Sequence, residues 1–379
     1  MDPKLVFVHP AIRPYRQELF ELLGDRYGCR FIFVEDYEDN LALMRTVKLR
    51  NWKAYRSCRF LFYSKGFTLR LLKDAVFGDY DVWIGSGLFH ISTHLALPFV
   101  LLRGKKFILF SEDWWIPDRR KNRMFRPAAK WIARHCSAIV AASNKTKDFF
   151  VRLGAKPEKI FVGWNATSDY GQKPVDDKIL AELKMKLDPD GRFVILYINR
   201  IVPYKGLDVL IRAFPELDKS GKVTLLVVGD GDFRKACEDQ AKKMDLKNIL
   251  FIGSVPPDQA HYYYRLANLF VLPGRLMPNS NVVAEAWGFT VNEALSCGLP
   301  VVTTGAVAAS EMIKNGQNGL VTEPEDVEAL ATALRYFYEN RERAQEFAEQ
   351  AKQAAAAATP ECQAKAFQKA INYSLYGKD

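Results

Sequence analysis

Phe193-Val194-Ile195-Leu196-Tyr197-Ile198-Asn199-Arg200-Ile201-Val202-Pro203-Tyr204-Lys205-Gly206 is the stretch on which the fold turns. An unbroken apolar run, without the alternation of a half-exposed strand, gives way to a polar loop holding one proline and one glycine. Leu207 to Phe214 then shows apolar residues at helical spacing. A strand that is apolar on both faces and feeds a helix through a short loop is half of a βαβ unit. The pattern recurs, because Val223 to Val228, Asn248 to Ile252, Leu269 to Leu272 and Val301 to Thr303 are short runs rich in β-branched residues, each followed by a helical stretch. Five such alternations predict a doubly wound parallel sheet with helices on both faces.

Working towards the N-terminus, Leu5 to His9 is an apolar run stopped by Pro10, Gln17 to Leu23 has helical spacing, and Arg30 to Val34 reads as the next strand. Asp81 to Ile84, Phe107 to Phe110, Ala138 to Ala142 and Lys159 to Gly163 continue a second α/β series. Between the two series, Ser168-Asp169-Tyr170-Gly171-Gln172-Lys173-Pro174 is polar and turn-rich, and predicts a domain boundary. The expected division is an N-terminal domain over 1–170 and a C-terminal domain over 171–359. Thr359 as N-cap and Pro360 at the first helical position predict a final helix, which is expected to return over 360–379 to the first domain. Val82 to Leu102 has no formally charged residue and is long enough to span a bilayer. Gly85, Gly87, His90, His94 and Pro98 interrupt it, so it is read as strand, glycine turn and buried helix.

The 379 residues, 49% apolar and 26% charged, have the make-up of a globular protein and exclude disordered, collagenous and disulfide-scaffold classes. Charge is unevenly placed. Residues 1–170 hold 29 basic and 17 acidic side chains, whereas the rest hold 25 and 27, so the excess of +10 comes from the first half, which is suited to an anionic partner. The six cysteines show neither a CxxC nor a Cys/His spacing suited to zinc, and no apolar leader follows Met1; a reducing cytoplasm is expected.

In open α/β sheets ligands gather beyond the carboxyl ends of the strands, so the loops there are where chemistry is expected. Arg200 and Lys205 lie at the N-terminus of a helix, where amides and macrodipole also favour anions. They make either a diphosphate cradle or a solvated basic turn. Gly229-Asp230-Gly231 is a weak GxG, because Arg234 stands where a dinucleotide fingerprint has its third glycine, which argues against a nicotinamide cofactor. Glu285-Ala286-Trp287-Gly288-Phe289-Thr290-Val291-Asn292-Glu293 is more informative. Gly288 and Phe289 predict the entry to a helix ending near Cys297 and Gly298, so that the amides of 289–291 would meet an anion. A carboxylate one turn into that helix, Glu293, suits a partner offering hydroxyl protons. First-turn acids that complement the dipole are the plainer account of Glu285.

Glu285 and Glu293 with seven residues between, the Gly-x-Pro-Val-Val that follows, the earlier Arg-x4-Lys-Gly and the late Asn315-Gly316-Gln317-Asn318-Gly319 together resemble the retaining GT-B glycosyltransferases of family GT4. The resemblance is strong over residues 190–340. It is looser before them, in Pro10 to Arg16 and Asn165. It implies two Rossmann-like domains facing an interdomain cleft, and a nucleotide-diphospho-sugar held mainly by the second. Arg200 and Lys205 would hold the diphosphate, Glu293 the ribose and Glu285 the sugar, with Gly229, Gly253, Gly288, Phe289, Thr290 and Val291 completing the donor site. The catalytic set implied is Arg200, Lys205, Glu285 and Glu112, and Arg13, Tyr15, Arg16 and His90 fall on the acceptor side. Two departures stand out. Asn199 replaces the glycine that usually precedes the arginine, and Ser111-Glu112-Asp113 occupies the place of a histidine common in the first domain, where Glu112 or Asp113 either takes its role or caps and salt-bridges.

No metal and no resident cofactor are expected; the donor is a co-substrate, a UDP-sugar in preference to a GDP-sugar. Nine basic residues and no acidic one lie between Arg45 and Lys73, among Trp52, Tyr55, Phe60, Phe62, Tyr63 and Phe67; Arg119 to Arg134 adds seven more. Such a stretch, with Arg50, Lys53, Arg56 and Arg59 as its centre, fits an anionic membrane surface, single-stranded nucleic acid or a merely solvated basic face. Beside the glycosyltransferase resemblance the membrane is the more economical partner, with no nucleic acid. The reading is thus a hexosyltransferase, peripheral on the inner face of the cell membrane, acting on a lipid-linked acceptor. Its rivals are a non-hydrolysing nucleotide-sugar epimerase of the same fold and a non-catalytic nucleic-acid-binding protein.

Overall fold

In the computed structural model the described residues are 3–35, 49–60, 63–116, 125–187, 191–217, 221–277 and 284–377. The chain divides into two compact units, residues 1–168 with 358–379, and residues 169–357.

The first unit is built on β1 (Leu5–His9), β2 (Arg30–Phe33), β3 (Trp52–Ala54), a two-stranded antiparallel pair of β4 (Cys58–Phe60) and β5 (Tyr63–Phe67), then β6 (Val82–Ser86), β7 (Lys106–Ser111), β8 (Ala138–Ala141) and β9 (Ile160–Val162). Seven of these form one sheet in the order β3-β2-β1-β6-β7-β8-β9, with every pair parallel. One face of this sheet is covered by the helices Leu69–Phe77, Ile91–Leu102 and Arg126–His135, through Leu71, Leu97, Val100 and Ile132. The other is covered by Gln17–Tyr27 and Pro360–Tyr376, through Phe20, Phe367 and Ile371. The uncharged run from Val82 resolves into β6 and the helix Ile91–Leu102, as its interruptions predict. Among the described residues no helix is long and apolar enough to cross a membrane. Thr359 caps the last helix by accepting from the Cys362 amide at 3.2 Å, with Pro360 at its first position.

The second unit holds β10 (Phe193–Ile198), β11 (Val223–Val228), β12 (Ile249–Gly253), β13 (Leu269–Leu272), β14 (Val301–Thr304) and β15 (Gly319–Thr322), in the order β12-β11-β10-β13-β14-β15, again all parallel. Every residue of β10 and β11 is buried, which explains why these strands read as continuous apolar runs. Each sheet is therefore doubly wound. Their strand order reverses beside β1 in the first unit and beside β10 in the second, the two points where the loops of a Rossmann-like sheet diverge and leave room for a ligand.

Candidate functional site

At the carboxyl end of β10 the loops after β10 and β13 are held together by a short reach of backbone. Gly206 has φ +74°, and a Cβ there would collide with the Pro273 carbonyl, so glycine is what allows the close approach. The Arg275 amide donates to the Tyr204 carbonyl at 2.9 Å and its guanidinium pairs with Asp208. The two expected cations are treated differently by this frame. Arg200 is exposed and donates to the Tyr204 hydroxyl at 3.0 Å. Lys205 is only 8% exposed; its Nζ lies 2.6 Å from Glu285 Oε2 and 3.1 Å from Asn199 Oδ1.

Glu285 is fixed by main-chain bonds on both sides, its amide to the Ala306 carbonyl at 3.2 Å and its carbonyl to the Ala308 amide at 3.4 Å. Three residues on, Gly288 has φ +102° and starts the helix Phe289–Ser296, and a Cβ there would press on Val307. Gly288, the N-cap residue, has no side chain with which to cap that helix. Of the three amides expected to face an anion, Val291's is already committed to the Gly288 carbonyl at 2.9 Å, because the left-handed glycine turns its carbonyl back into a tight first turn. Val291 thus leaves the predicted amide set, while Thr290 gains a side-chain role: its hydroxyl donates to Asn199 Oδ1 at 3.1 Å. Gly229 and Gly253 lie just beyond β11 and at the end of β12, joined by the Gly229 amide to the Gly253 carbonyl at 2.8 Å. One neighbourhood therefore gathers Asn199, Arg200, Lys205, Glu285 and the start of a helix.

Glu293 sits one turn inside the helix and is buried, with its own set of polar partners. Its Oε2 accepts from the buried Tyr264 hydroxyl at 2.7 Å, and Tyr170 and Lys173 from the start of the unit stand beside it. Burial lifts its carboxyl to about 7, against the lowering effect of the Tyr264 hydrogen bond and the Lys173 charge. Sequence reasoning placed Tyr170 and Lys173 in a linker and passed over Tyr264, since only the strand order brings residues so distant in the chain to one carboxylate.

The corresponding end of β1 and β6 carries the predicted acceptor residues. Pro14–Arg16 forms a short 3-10 turn, with Arg13 and Tyr15 outside the core. Arg16, expected as an acceptor-facing cation, is 1% exposed: it lies over the Phe110 ring at 4.7 Å, donates to Asn165 Oδ1 at 3.1 Å and pairs with Glu112. Glu112, expected as a catalytic group, is thus also the counter-ion of a buried arginine. Asp113 closes a loop, accepting from the Leu88 amide at 2.9 Å and the Ser111 hydroxyl at 2.7 Å. His90 is the N-cap residue of the helix Ile91–Leu102, its Nδ1 3.3 Å from Glu35. Sequence reasoning missed Glu35 and also His9, which burial and the nearby Arg16 hold well below the usual histidine range, so that its Nδ1 hydrogen is donated to the Ala11 carbonyl at 2.8 Å.

In the basic stretch Arg50, Lys53 and Arg56 are exposed, whereas Tyr55 turns inward, its hydroxyl on Asp74 at 2.5 Å, and Trp52 packs against the core. Arg45 and Lys48, the Arg59 side chain and the cations of 119–124 lie outside the described residues. Arg70, Lys73, Lys130 and Arg134 are exposed on the helices Leu69–Phe77 and Arg126–His135.

The profile of the family described as Glycosyl transferases group 1 matches residues 181–354, and that of Glycosyltransferase Family 4 matches residues 26–167. A GDP-mannose-dependent alpha-(1-6)-phosphatidylinositol monomannoside mannosyltransferase of Mycolicibacterium smegmatis is 30% identical over 161 residues, 42% of this chain and 42% of that protein. An alpha-monoglucosyldiacylglycerol synthase of Streptococcus pneumoniae is 26% identical over 208 residues, 52% of this chain and 45% of its own. The chain spans less than half the length of either of these curated relatives. Anabaena HepE, crystallised in complex with UDP, superposes with a TM-score of 0.80 at 19% identity over 97% of this chain and 99% of that one, a likeness of fold. Matched in order along both halves by these profiles, and folded as two doubly wound Rossmann-like units, the chain belongs to glycosyltransferase family 4, on the GT-B fold.

Proposed function

We propose that the protein transfers a hexosyl group, with retention of configuration and without a metal ion, from a UDP-sugar to a hydroxyl of a lipid-linked acceptor at the cytoplasmic face of a membrane. The observation that carries the donor half is the meeting of Arg200, the Lys205–Glu285 pair and the helix start at Gly288 beyond β10, where the strand order reverses. In the reaction the bond from the anomeric carbon to the β-phosphate breaks, a bond to the acceptor oxygen forms, and the hydroxyl proton leaves with the nucleoside diphosphate. Charge grows on the leaving phosphate, and cations and amides already fixed in place stabilise it without reorganising. Lys205 reaches the phosphates while its partner Glu285 faces the sugar, and Glu293 accepts from the ribose.

Support for the acceptor half comes from the first unit. Leu69, Phe77 and Leu102 are 71%, 78% and 83% exposed on helices of one sheet face, among Arg70, Lys73 and Arg103, with Trp131, Lys130 and Arg134 on the next helix. Exposed apolar side chains set among cations suit an anionic headgroup surface. The two curated relatives described above carry names that specify lipid acceptors, a phosphatidylinositol mannoside and a diacylglycerol product, and HepE was crystallised with UDP. The test is release of nucleoside diphosphate from UDP-glucose, UDP-galactose and GDP-mannose, with and without a bacterial lipid extract. Release that requires the extract, with sugar appearing in the lipid fraction, is expected. Sugar epimerisation without any acceptor, or no turnover of any donor, would overturn the proposal.

A further inference from the structure

Asn199 replaces the glycine usual before Arg200, and the structure gives that replacement a defined orientation. The residue is 9% exposed. Its backbone is pinned, with the amide on the Val228 carbonyl at 3.1 Å. Its Oδ1 accepts from two donors, Lys205 Nζ and Thr290 Oγ1, each at 3.1 Å. Those contacts settle which way the amide points, because lysine and its ammonium can only donate, and the oxygen must face them. The Nδ2 hydrogens are then turned away from Lys205 and Thr290, and among the described residues Nδ2 has no hydrogen-bond partner. A buried, unpaired N–H is costly and calls for an acceptor supplied from outside the chain. The chemistry around it selects that acceptor: a lysine, an exposed arginine one residue on, and the first turn of an eight-residue helix all favour an anion.

We propose that Asn199 Nδ2 is a further donor to the diphosphate of the bound nucleotide, so that one side chain both binds the leaving group and holds Lys205 and Thr290 in register around it. A glycine at this position can do neither. This rests on the donor-site reading given above, and the experiment keeps the two apart.

UDP, UMP, GDP and GMP are titrated calorimetrically into wild type, Asn199→Asp and Asn199→Ala in the presence of EDTA, with the thermal midpoint of each ligand-free protein as control. Aspartate keeps the acceptor for Lys205 and Thr290 but loses both N–H donors; alanine loses everything. Loss of a hydrogen bond to a charged group predicts diphosphate affinity about ten- to a hundredfold weaker in both variants. Monophosphate affinity should change by less than about threefold, since the contact is to the outer phosphate. If Asp binds the diphosphate as tightly as wild type while Ala is weak, Asn199 only positions its neighbours and the proposal is overturned. Equal losses of mono- and diphosphate binding, or variants that bind as wild type, overturn it as well. Failure of wild type to bind either diphosphate removes the donor site itself, a result recognisable without any variant.

Discussion

The clearest energetic consequence of the site concerns Glu293. Its carboxyl is raised to about 7 by burial, whereas an unfolded chain leaves a glutamate near 4.5. A folded-state acid with a raised pKa binds its proton more tightly than the unfolded state does. Its contribution is therefore whole below about pH 4.5, where both states are protonated, and is lost as pH rises through 7, where the folded state must hold a buried charge. The shift corresponds to about 3 kcal/mol in all, of which roughly 2.5 kcal/mol falls between pH 5 and pH 8. Glu293→Gln keeps an oxygen for the Tyr264 hydroxyl but does not titrate, so its stability relative to wild type should rise by about 2.5 kcal/mol across that interval. Urea unfolding of both proteins at pH 5, 6, 7 and 8, followed by peptide-resolved hydrogen exchange to read the β10–β15 unit by itself, measures the difference. A difference that stays flat to within about 0.5 kcal/mol would mean that Glu293 is ionised throughout and that the burial argument is wrong. The same titration bears on function, because an ionised Glu293 accepts better from ribose hydroxyls; UDP affinity should strengthen as pH rises through 7 in wild type and not in the glutamine variant.

Three further outcomes follow from named contacts. Arg200→Ala, which removes an exposed side chain, should lower kcat/KM at least tenfold, about the effect of losing one charge-assisted hydrogen bond, with no change in thermal midpoint. Lys205→Ala should behave differently: stranding Glu285, whose side chain is 14% exposed, should cost stability of about 3 kcal/mol, and Glu285→Gln in the same chain should restore most of it in denaturant unfolding, though not the activity. Vesicle binding should be strong on anionic lipid at low salt, fall steeply towards 1 M salt, and be lost when Arg50, Lys53, Arg56 and Arg59 are neutralised together; co-sedimentation reads both, and unchanged pelleting of the quadruple variant would remove the membrane reading.

The central strands of both sheets were legible in the sequence because fully covered parallel strands leave continuous apolar runs, as β10, β11, β13 and β14 do, whereas the partly exposed edge strands β3 and β15 leave none and were not legible. The helix start at Gly288 and the Thr359–Pro360 cap were legible for a different reason: each is a local device whose residues are neighbours in the chain. What stayed hidden was pairing at a distance. Arg16 looked like a surface cation, and nothing in its surroundings along the chain announces the Phe110 ring or Asn165 that bury it. The Lys205–Glu285 contact joins loops after two different strands, and Tyr264 meets Glu293 across two helices, so neither follows from spacing. Asn199 was visible only as a departure from a motif; its two hydrogen bonds exist because β10 and the helix Phe289–Ser296 end at the same edge.

The central claim is that a nucleoside diphosphate binds at the carboxyl end of β10 in the second unit. Hydrogen–deuterium exchange mass spectrometry of the whole chain with and without saturating UDP locates the ligand directly. Protection is predicted in the peptides carrying Asn199 to Gly206 and Gly288 to Glu293, with those carrying His9 to Arg16 and Ser86 to His90 unchanged. Protection confined to the first-unit peptides, with 199–206 and 288–293 unaffected, would contradict it.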